Sequence, residues 1–296
     1  MRALVSGLLT FDSGKTVLTA SLIRGLIREG VSAAASKPLG ATDLWGHPEA
    51  LLRSRGAREV VTYDGYALAK ASGDRLPVEV VNPVGALLAP TPPSRYRGRS
   101  AFEASLVEPF RRAVLVRVTT CVGESRSLHL ANVDALSRVS RNVSEAIEEV
   151  SAYLTPPPAA ASDDAIASVF SGGASAAADT CVSLAEKASE VLVIESNSDV
   201  AAPTAQSAYP SVAIFVAPGE AYVVDGQRFS RALEVLSMSG RPWVAKTYEV
   251  LELTGYMDRV DLPLLEDPDE GYQPDDVRAL LDRIKGVLRE RRSARP

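Results

Sequence analysis

The stretch SGLLTFDSGKT, residues 6–16, carries residue types that bind phosphate. Backbone N–H groups ahead of a helix form an anion cradle, and Gly14 lets the backbone approach a phosphate without a Cβ in the way. The Lys15 ammonium is suited to the β and γ phosphates of a nucleotide, and the Thr16 hydroxyl is suited to ligate Mg²⁺. The expected nucleotide-binding residues of this loop are Thr10, Phe11, Asp12, Ser13, Gly14, Lys15, Thr16 and Val17.

The front of this loop is irregular. The common phosphate-binding loop reads G-x-x-x-x-G-K-[ST], and Leu9 stands where its first glycine belongs. The nearest upstream glycine is Gly7. The cradle consists of backbone groups and needs permissive geometry mainly near the helix start, so the missing glycine does not exclude a phosphate site.

A second lysine follows a second apolar run. SKPLGATD, residues 36–43, puts Lys37 at the end of a predicted strand beside the first one. At that edge Lys37 could hold an anionic substrate or bridge it to a γ-phosphate. Asp43 and Glu49 follow and are candidate Mg²⁺ ligands.

A candidate metal-binding carboxylate ends a later strand. VLVIE, residues 191–195, is a hydrophobic run that finishes in Glu195, and SNSD follows it. A carboxylate at the end of a buried strand can reach a metal bound to phosphates at the same sheet edge. We therefore predict Lys15, Lys37 and Glu195 as the catalytic residues.

The elements that must position these residues read as a parallel α/β sheet. ALVSG (3–7), an amphipathic pattern up to Gly30 and VSAAASKP (31–38) predict a strand, loop, helix, strand unit. VLVIE, VAIFVA (212–217) and WVAK (243–246) are continuous apolar runs, which is typical of strands covered by helices on both faces. The fold class is therefore α/β with a doubly wound, mainly parallel sheet, and ligands bind at the carboxyl ends of its strands.

The middle of the chain differs from the two ends. AVLVRVTTC (113–121) and SLHLANV (127–133) predict a hairpin. We treat 1–296 as a single domain in which residues 99–165 are an insertion.

Composition excludes several functions. Of 296 residues 46% are hydrophobic, and the net charge of −5 gives no basic surface for nucleic acid. Two histidines exclude a histidine-rich metal site, and two cysteines without CxxC spacing predict neither a disulfide framework nor a zinc site. No run approaches the about 20 apolar residues of a membrane span. A cytoplasmic location is expected.

Three segments together resemble dethiobiotin synthetase and its relatives, the cobyrinic acid amide synthases. The likeness lies in FDSGKT, SKPLGATD and IESNSDVAAP, with VVNPVGALLAPTPP (80–93) similar to a proline-containing stretch before the family's substrate site. The resemblance implies a P-loop NTPase fold and ATP- and Mg²⁺-dependent activation of a small carboxylate or carbamate by phosphoryl transfer. It also implies that Lys15 and Lys37 steady the phosphoryl group, and that Thr16, Asp43 or Glu49, and Glu195 hold Mg²⁺. Relatives are often homodimers.

The sequence also departs from this family. Ser196–Asp199 replaces a turn of glycines and small residues, so the acceptor is not assigned. Lys246 stands where the family reads adenine with an asparagine, so both ATP and GTP remain candidates. The leading hypothesis is an ATP- or GTP-dependent ligase or kinase acting on a small carboxylate. A nucleotide-sensing protein without turnover and a polynucleotide kinase are the alternatives.

Overall fold

Two β-sheets organise the computed structural model, which describes residues 1–237, 240–265 and 270–294. The strands are β1 (Arg2–Gly7), β2 (Ala33–Ser36), β3 (Leu39–Asp43), β4 (Val84–Leu88), β5 (Ala113–Val122), β6 (Glu124–Asn132), β7 (Ala159–Ala161), β8 (Val191–Glu195), β9 (Val212–Ala217), β10 (Glu220–Asp225) and β11 (Asp258–Asp261). The helices are α1 (Lys15–Arg28), α2 (Glu49–Ala57), α3 (Tyr63–Ala71), α4 (Val78–Val81), α5 (Arg99–Val107), α6 (Val133–Arg138), α7 (Arg141–Ser151), α8 (Asp163–Ser168), α9 (Ser175–Lys187), α10 (Gly226–Leu236), α11 (Thr247–Thr254) and α12 (Arg278–Ser293).

The first sheet has the order β11-β10-β9-β1-β8-β2. Strands β2, β8, β1 and β9 are parallel, and β10 and β11 add an antiparallel edge. Its central strands are buried throughout because alternate residues pack on opposite faces. Ala3 and Val5 face a core with α1 and α12, whereas Leu4 faces a core with α9 and α10. The expected α/β fold with helices on both faces of this sheet is therefore confirmed.

The second sheet has the order β3-β4-β5-β6-β7 and starts immediately after the first sheet's edge strand. Lys37 and Pro38 alone separate β2 from β3. The expected hairpin is confirmed as β5 and β6, joined at Gly123 with φ +78°. Residues 99–165 supply β5 to β7, while β3 and β4 come from earlier in the chain.

One predicted strand is wrong. Residues 243–246 do not enter the sheet: Pro242–Val244 forms a single 3₁₀ turn, and Lys246 is the N-cap of α11. Pro242 lacks an N–H to donate to a ladder. The place beside β9 is taken by β10, which returns antiparallel after a two-residue turn.

The two cysteines correct another expectation. Cys121 at the end of β5 and Cys181 in α9 form a disulfide with a Cα–Cα distance of 4.8 Å. They lie 60 residues apart, so sequence spacing carries no sign of the pairing. Packing of α9 against β5 brings them together.

No single helix in the described ranges is long and apolar enough to cross a membrane. One bent pair in these ranges, Asp163–Gly173 and Ser175–Lys187, meets that length and composition, across a 49° bend.

Candidate functional site

The N-terminus of α1 offers free backbone donors at the end of β1. Its N-cap Gly14 has φ +84° and provides no side-chain hydrogen bond, and the first turn contains no acidic residue. The first N–H groups of a helix have no intrahelical acceptor, and the helix dipole favours a negative charge there. This helix start can therefore receive an anion.

Gly7 explains the irregular loop. A Cβ at this position would lie 2.3 Å from Ser13 Oγ and 2.7 Å from Lys15 Nζ. The Lys15 side chain thus folds back over the end of β1, where its Nζ donates to Ser13 Oγ at 2.9 Å. Gly7 is required for this close approach, whereas Gly14 is required for its positive φ. Gly7 and Gly14 would take the places of the two glycines in the common loop, although they lie two residues further apart than those glycines do.

Thr16, Lys37 and Glu195 form a polar cluster beside this loop. Thr16 Oγ1 donates to Glu195 Oε1 at 2.9 Å, and Lys37 Nζ pairs with the same oxygen. Glu195 is completely buried at the end of β8, opposite Val5 of β1. The three side chains come from the first turn of α1, the end of β2 and the end of β8, so neighbouring parallel strands bring them to one edge.

Asp64 completes the cluster, and the sequence analysis missed it. Its carboxylate lies 3.2 Å from Thr16 Oγ1 and 3.2 Å from Lys37 Nζ. Asp64 is in the first turn of α3, after the N-cap Thr62. The only signal in the sequence is an acidic residue after a threonine cap, which ordinarily indicates nothing beyond a helix start.

The cluster balances two ammonium groups against two carboxylates. Burial alone would lower the pKa of Lys37, but Asp64 and Glu195 outweigh it and raise that pKa above its ordinary value. Burial raises the pKa of Glu195, and the Lys37 ammonium opposes this rise. Burial and the charge of Lys37 lower the pKa of Lys15. A phosphate beside Lys15 would supply the negative charge that this ammonium lacks.

Asp43 and Glu49, the other expected metal ligands, have different partners. Asp43 accepts from Arg112 Nη1 at 2.7 Å and from the Trp45 N–H at 2.9 Å. Glu49 lies 3.3 Å from His47 Nδ1 and 3.8 Å from Arg53 Nη1. The structure brings neither carboxylate into hydrogen-bond contact with the Thr16–Glu195 pair; Asp64 has that contact instead.

The remaining expected residues lie around the loop. Thr10, Phe11 and Asp12 are exposed, Ser13 is buried, and Val17 is half-buried in α1. Asp12 has φ +52°, which shapes the loop tip. Ser198 Oγ donates to the Thr10 carbonyl at 3.1 Å and thus ties the turn after β8 to the loop.

Lys246 joins the same surface through Asp199. Its Nζ lies 2.7 Å from Asp199 Oδ1, and the Thr247 N–H donates to the Asp199 carbonyl at 2.8 Å. Ser198 also donates to Asp199 Oδ1 at 3.2 Å. Lys246 therefore contacts the same turn that Ser198 ties to the loop between β1 and α1.

The donor atoms fit a hard cation bound together with phosphate. Glu195 Oε2 is buried and has no hydrogen-bond partner among the described residues. Mg²⁺ is usually held by one or two carboxylates, substrate phosphates and waters, which matches Thr16, Asp64 and Glu195. Across residues 1–237, 240–265 and 270–294, no group of three or more His, Cys, Asp or Glu side chains is arranged to hold a metal ion.

No protein-family model matches the sequence, and no curated protein is significantly similar to it. The function is therefore inferred from the geometry of this cluster.

Proposed function

We propose that this protein binds Mg·ATP or Mg·GTP and transfers the γ-phosphoryl group to a small carboxylate or carbamate, as a P-loop enzyme of the dethiobiotin synthetase type. One observation carries the proposal. Lys15 and Thr16, at an uncapped helix start, share one buried edge with Lys37, Asp64 and Glu195.

Each residue has a role in this reaction. The N–H groups at the start of α1 and the Lys15 ammonium bind the phosphates, and Gly7 leaves the space that Lys15 occupies. Thr16, Asp64 and Glu195 would hold Mg²⁺, which supplies charge neutralisation on the phosphate oxygens. Lys37 would contact the transferred group or the acceptor acid.

The chemistry requires no histidine. Phosphoryl transfer depends mainly on positioning and on neutralising developing charge, which lysines provide. A carboxylate acceptor is already ionised at neutral pH and needs no general base. His47 and His129 pair with Glu49 and Glu59, which lie outside the cluster.

A nucleotide sensor without turnover is the second candidate, and one observation favours it. Lys37 pairs with both Glu195 and Asp64, the carboxylates that Mg²⁺ would need. If this pairing persists with nucleotide bound, metal-assisted transfer is suppressed while phosphate binding at Lys15 continues.

Both the enzyme and the nucleotide sensor would suit the cytoplasm, because ATP and GTP are abundant there. A homodimer with the site near the interface is part of the proposal by analogy with the resembled family. The Cys121–Cys181 disulfide counts against a cytoplasmic location, because disulfides are rare in reducing compartments.

Calorimetry followed by a trapping assay tests the proposal. Purified protein is titrated with Mg·ATP and Mg·GTP, with EDTA as the metal-free control. It is then incubated with nucleotide, a panel of small carboxylic acids and hydroxylamine, which converts an acyl phosphate into a hydroxamate. Acid-dependent hydroxamate and nucleoside diphosphate are expected. Binding without acid-dependent diphosphate favours the sensor, phosphate transfer to an RNA 5′-hydroxyl indicates a polynucleotide kinase, and absence of binding overturns the proposal.

A further inference from the structure

The Asn82 side chain lies at the junction between the two sheets. It is completely buried between α4 and β4. Its Nδ2 donates to the Lys37 carbonyl at 2.8 Å and to the Val84 carbonyl at 3.0 Å. The Lys37 N–H donates to the Val81 carbonyl at 2.7 Å. Both backbone polar groups of Lys37 are thus held by the segment that ends at Asn82.

The same amide holds the start of α3. Its Oδ1 accepts from Thr62 Oγ1 at 2.7 Å, and Thr62 Oγ1 in turn accepts from the Gly65 N–H at 3.1 Å. Thr62 is the N-cap of α3, and Asp64 follows two residues later. Asn82 is therefore connected to the backbone of Lys37 and to the helix turn that carries Asp64.

Three glycines enclose this amide. A Cβ at Gly40 or Gly85 would lie 3.0 Å from an Asn82 side-chain atom, and one at Gly65 would lie 2.8 Å from Asn82 Cβ. Close packing of backbone on all these sides leaves Asn82 one orientation. The fixed Asn82 side chain therefore restricts the positions of its hydrogen-bond partners, the Lys37 carbonyl and the Thr62 hydroxyl.

Arg117 fixes the amide's own backbone from the second sheet. It is completely buried in β5; its Nη2 donates to the Asn82 carbonyl and its Nη1 to the Val60 carbonyl. Burial lowers the pKa of Arg117 to about 10. The two terminal guanidinium nitrogens thus bind carbonyls of the segments before α3 and β4, which joins β5 to both segments.

We infer that Asn82 is a positioning residue that sets the placement of the Lys37 ammonium relative to the Asp64 carboxylate. The positioning of Lys37 and Asp64 by Asn82 is inferred from the hydrogen bonds alone. The consequence for phosphoryl transfer rests on the proposed function. A substituted Asn82 frees the Lys37 carbonyl and the Thr62 hydroxyl together, so the segments that carry Lys37 and Asp64 each lose one hydrogen bond that holds them.

Asn132 provides a matched control. It is also a completely buried asparagine of the second sheet, and it caps α6 by accepting from the Ala135 N–H at 3.1 Å. Its Nδ2 donates to Asp163 Oδ1 at 3.0 Å. Asn132→Ala therefore removes a comparable buried amide without touching the Lys37 or Asp64 supports.

The first measurement needs no activity. Asn82→Ala, Asn132→Ala and wild-type protein are acetylated under native conditions, and mass spectrometry compares Lys37 with the exposed Lys70 in each sample. We expect Lys37 acetylation relative to Lys70 to rise about tenfold in Asn82→Ala and to stay unchanged in Asn132→Ala. An unchanged Lys37 ratio in Asn82→Ala, or an equal rise in both variants, overturns the inference.

Turnover is the second measurement. Asn82→Ala should lower kcat by about 10- to 100-fold and change the nucleotide Kd less than about threefold, because the α1 start that binds phosphate is not attached to Asn82. Thr62→Val should give a smaller rise in Lys37 acetylation and a smaller fall in kcat. Thr62→Ser, which keeps the hydroxyl, should return both quantities to wild-type values. If Asn82→Ala fails to fold, Thr62→Val and Thr62→Ser still test the positioning role of Asn82. If wild-type protein binds no nucleotide, the proposed function fails, and the acetylation ratio still tests the positioning role.

Discussion

Two buried acid–base pairs in this molecule differ in how completely they are satisfied. In the second sheet, His129 Nε2 lies 2.8 Å from Glu59 Oε2, and its Nδ1 lies 2.8 Å from the Pro156 carbonyl. At the edge of the first sheet, Lys37 pairs with Glu195 Oε1, while Glu195 Oε2 has no hydrogen-bond partner among the described residues. A buried polar atom without a partner costs free energy unless a ligand supplies one.

The difference separates a structural pair from a pair that belongs to the proposed binding site. Both ring nitrogens of His129 have partners within the fold. Substitution of His129 should therefore lower the free energy of unfolding and leave nucleotide affinity unchanged. The Lys37–Glu195 pair lies beside an uncapped helix start and a lysine whose only hydrogen-bond acceptor in the described part of the chain is Ser13. Losses there should reduce binding more than stability.

Lys15→Ala should produce the largest effect on the binding side of this comparison. We expect nucleotide affinity to fall about 1,000-fold, or roughly 4 kcal/mol, because the ammonium neutralises phosphate charge in a buried setting. The free energy of unfolding should stay within about 1 kcal/mol of wild type, since burial already disfavours this charge in the free protein. Calorimetry and urea denaturation measure the two quantities.

Lys70→Ala is the control for that variant. Lys70 is exposed in α3 and pairs with Asp74 at 2.7 Å. It should retain wild-type nucleotide affinity. Wild-type affinity in Lys15→Ala itself would show that the phosphate site has been assigned to the wrong residues.

His129→Ala should produce the opposite pattern. Removing the ring leaves the Glu59 carboxylate and the Pro156 carbonyl without this partner and opens a cavity in the second sheet, so we expect a loss of about 3 kcal/mol in the free energy of unfolding. Nucleotide affinity should remain within about twofold. Urea denaturation and calorimetry test this, and a large loss of affinity in a folded His129→Ala protein would break the proposed separation of the two regions.

Sequence patterns predicted the elements whose signal is local. VLVIE and VAIFVA match β8 and β9 residue for residue, because continuous apolar runs indicate strands buried on both faces. The glycine before α1, and the lysine and threonine that begin this helix, could also be identified from the local sequence. WVAK was not a strand, since Trp243 and Val244 belong to the 3₁₀ turn that begins at Pro242.

Residues whose role depends on distant contacts could not be predicted. Asp64 reaches Thr16 across 48 residues and Cys121 reaches Cys181 across 60. Neither separation forms a recognisable spacing. Asp43 and Glu49 were expected near the metal because they follow Lys37 closely, but β3 carries the chain into the second sheet, where both have other partners.

The smallest expected effect concerns Lys246 and Asp199, an ion pair that is partly open to water. Their side chains are 50% and 21% exposed, so solvent screens the 2.7 Å contact. We expect Lys246→Ala to lower the free energy of unfolding by only about 0.5 kcal/mol at pH 7. The Lys246 N–H can still donate to Glu249, which keeps the start of α11 intact.

The pH dependence of this small loss identifies its origin. Burial alone would raise the pKa of Asp199, but the hydrogen bond and charge of Lys246 outweigh it and hold that pKa below its ordinary value of 3.8. A carboxyl with a lower pKa in the folded state contributes stability that is complete above 3.8 and is lost as the pH falls through the folded-state pKa. Urea denaturation of wild type and Lys246→Ala from pH 7 to pH 2 should therefore give curves that differ at neutral pH and converge in acid. A difference that persists at pH 2 would mean that Lys246 stabilises the protein by packing rather than by charge. The Lys246–Asp199 pair could then not be compared, as an exposed ion pair, with the buried His129–Glu59 and Lys37–Glu195 pairs.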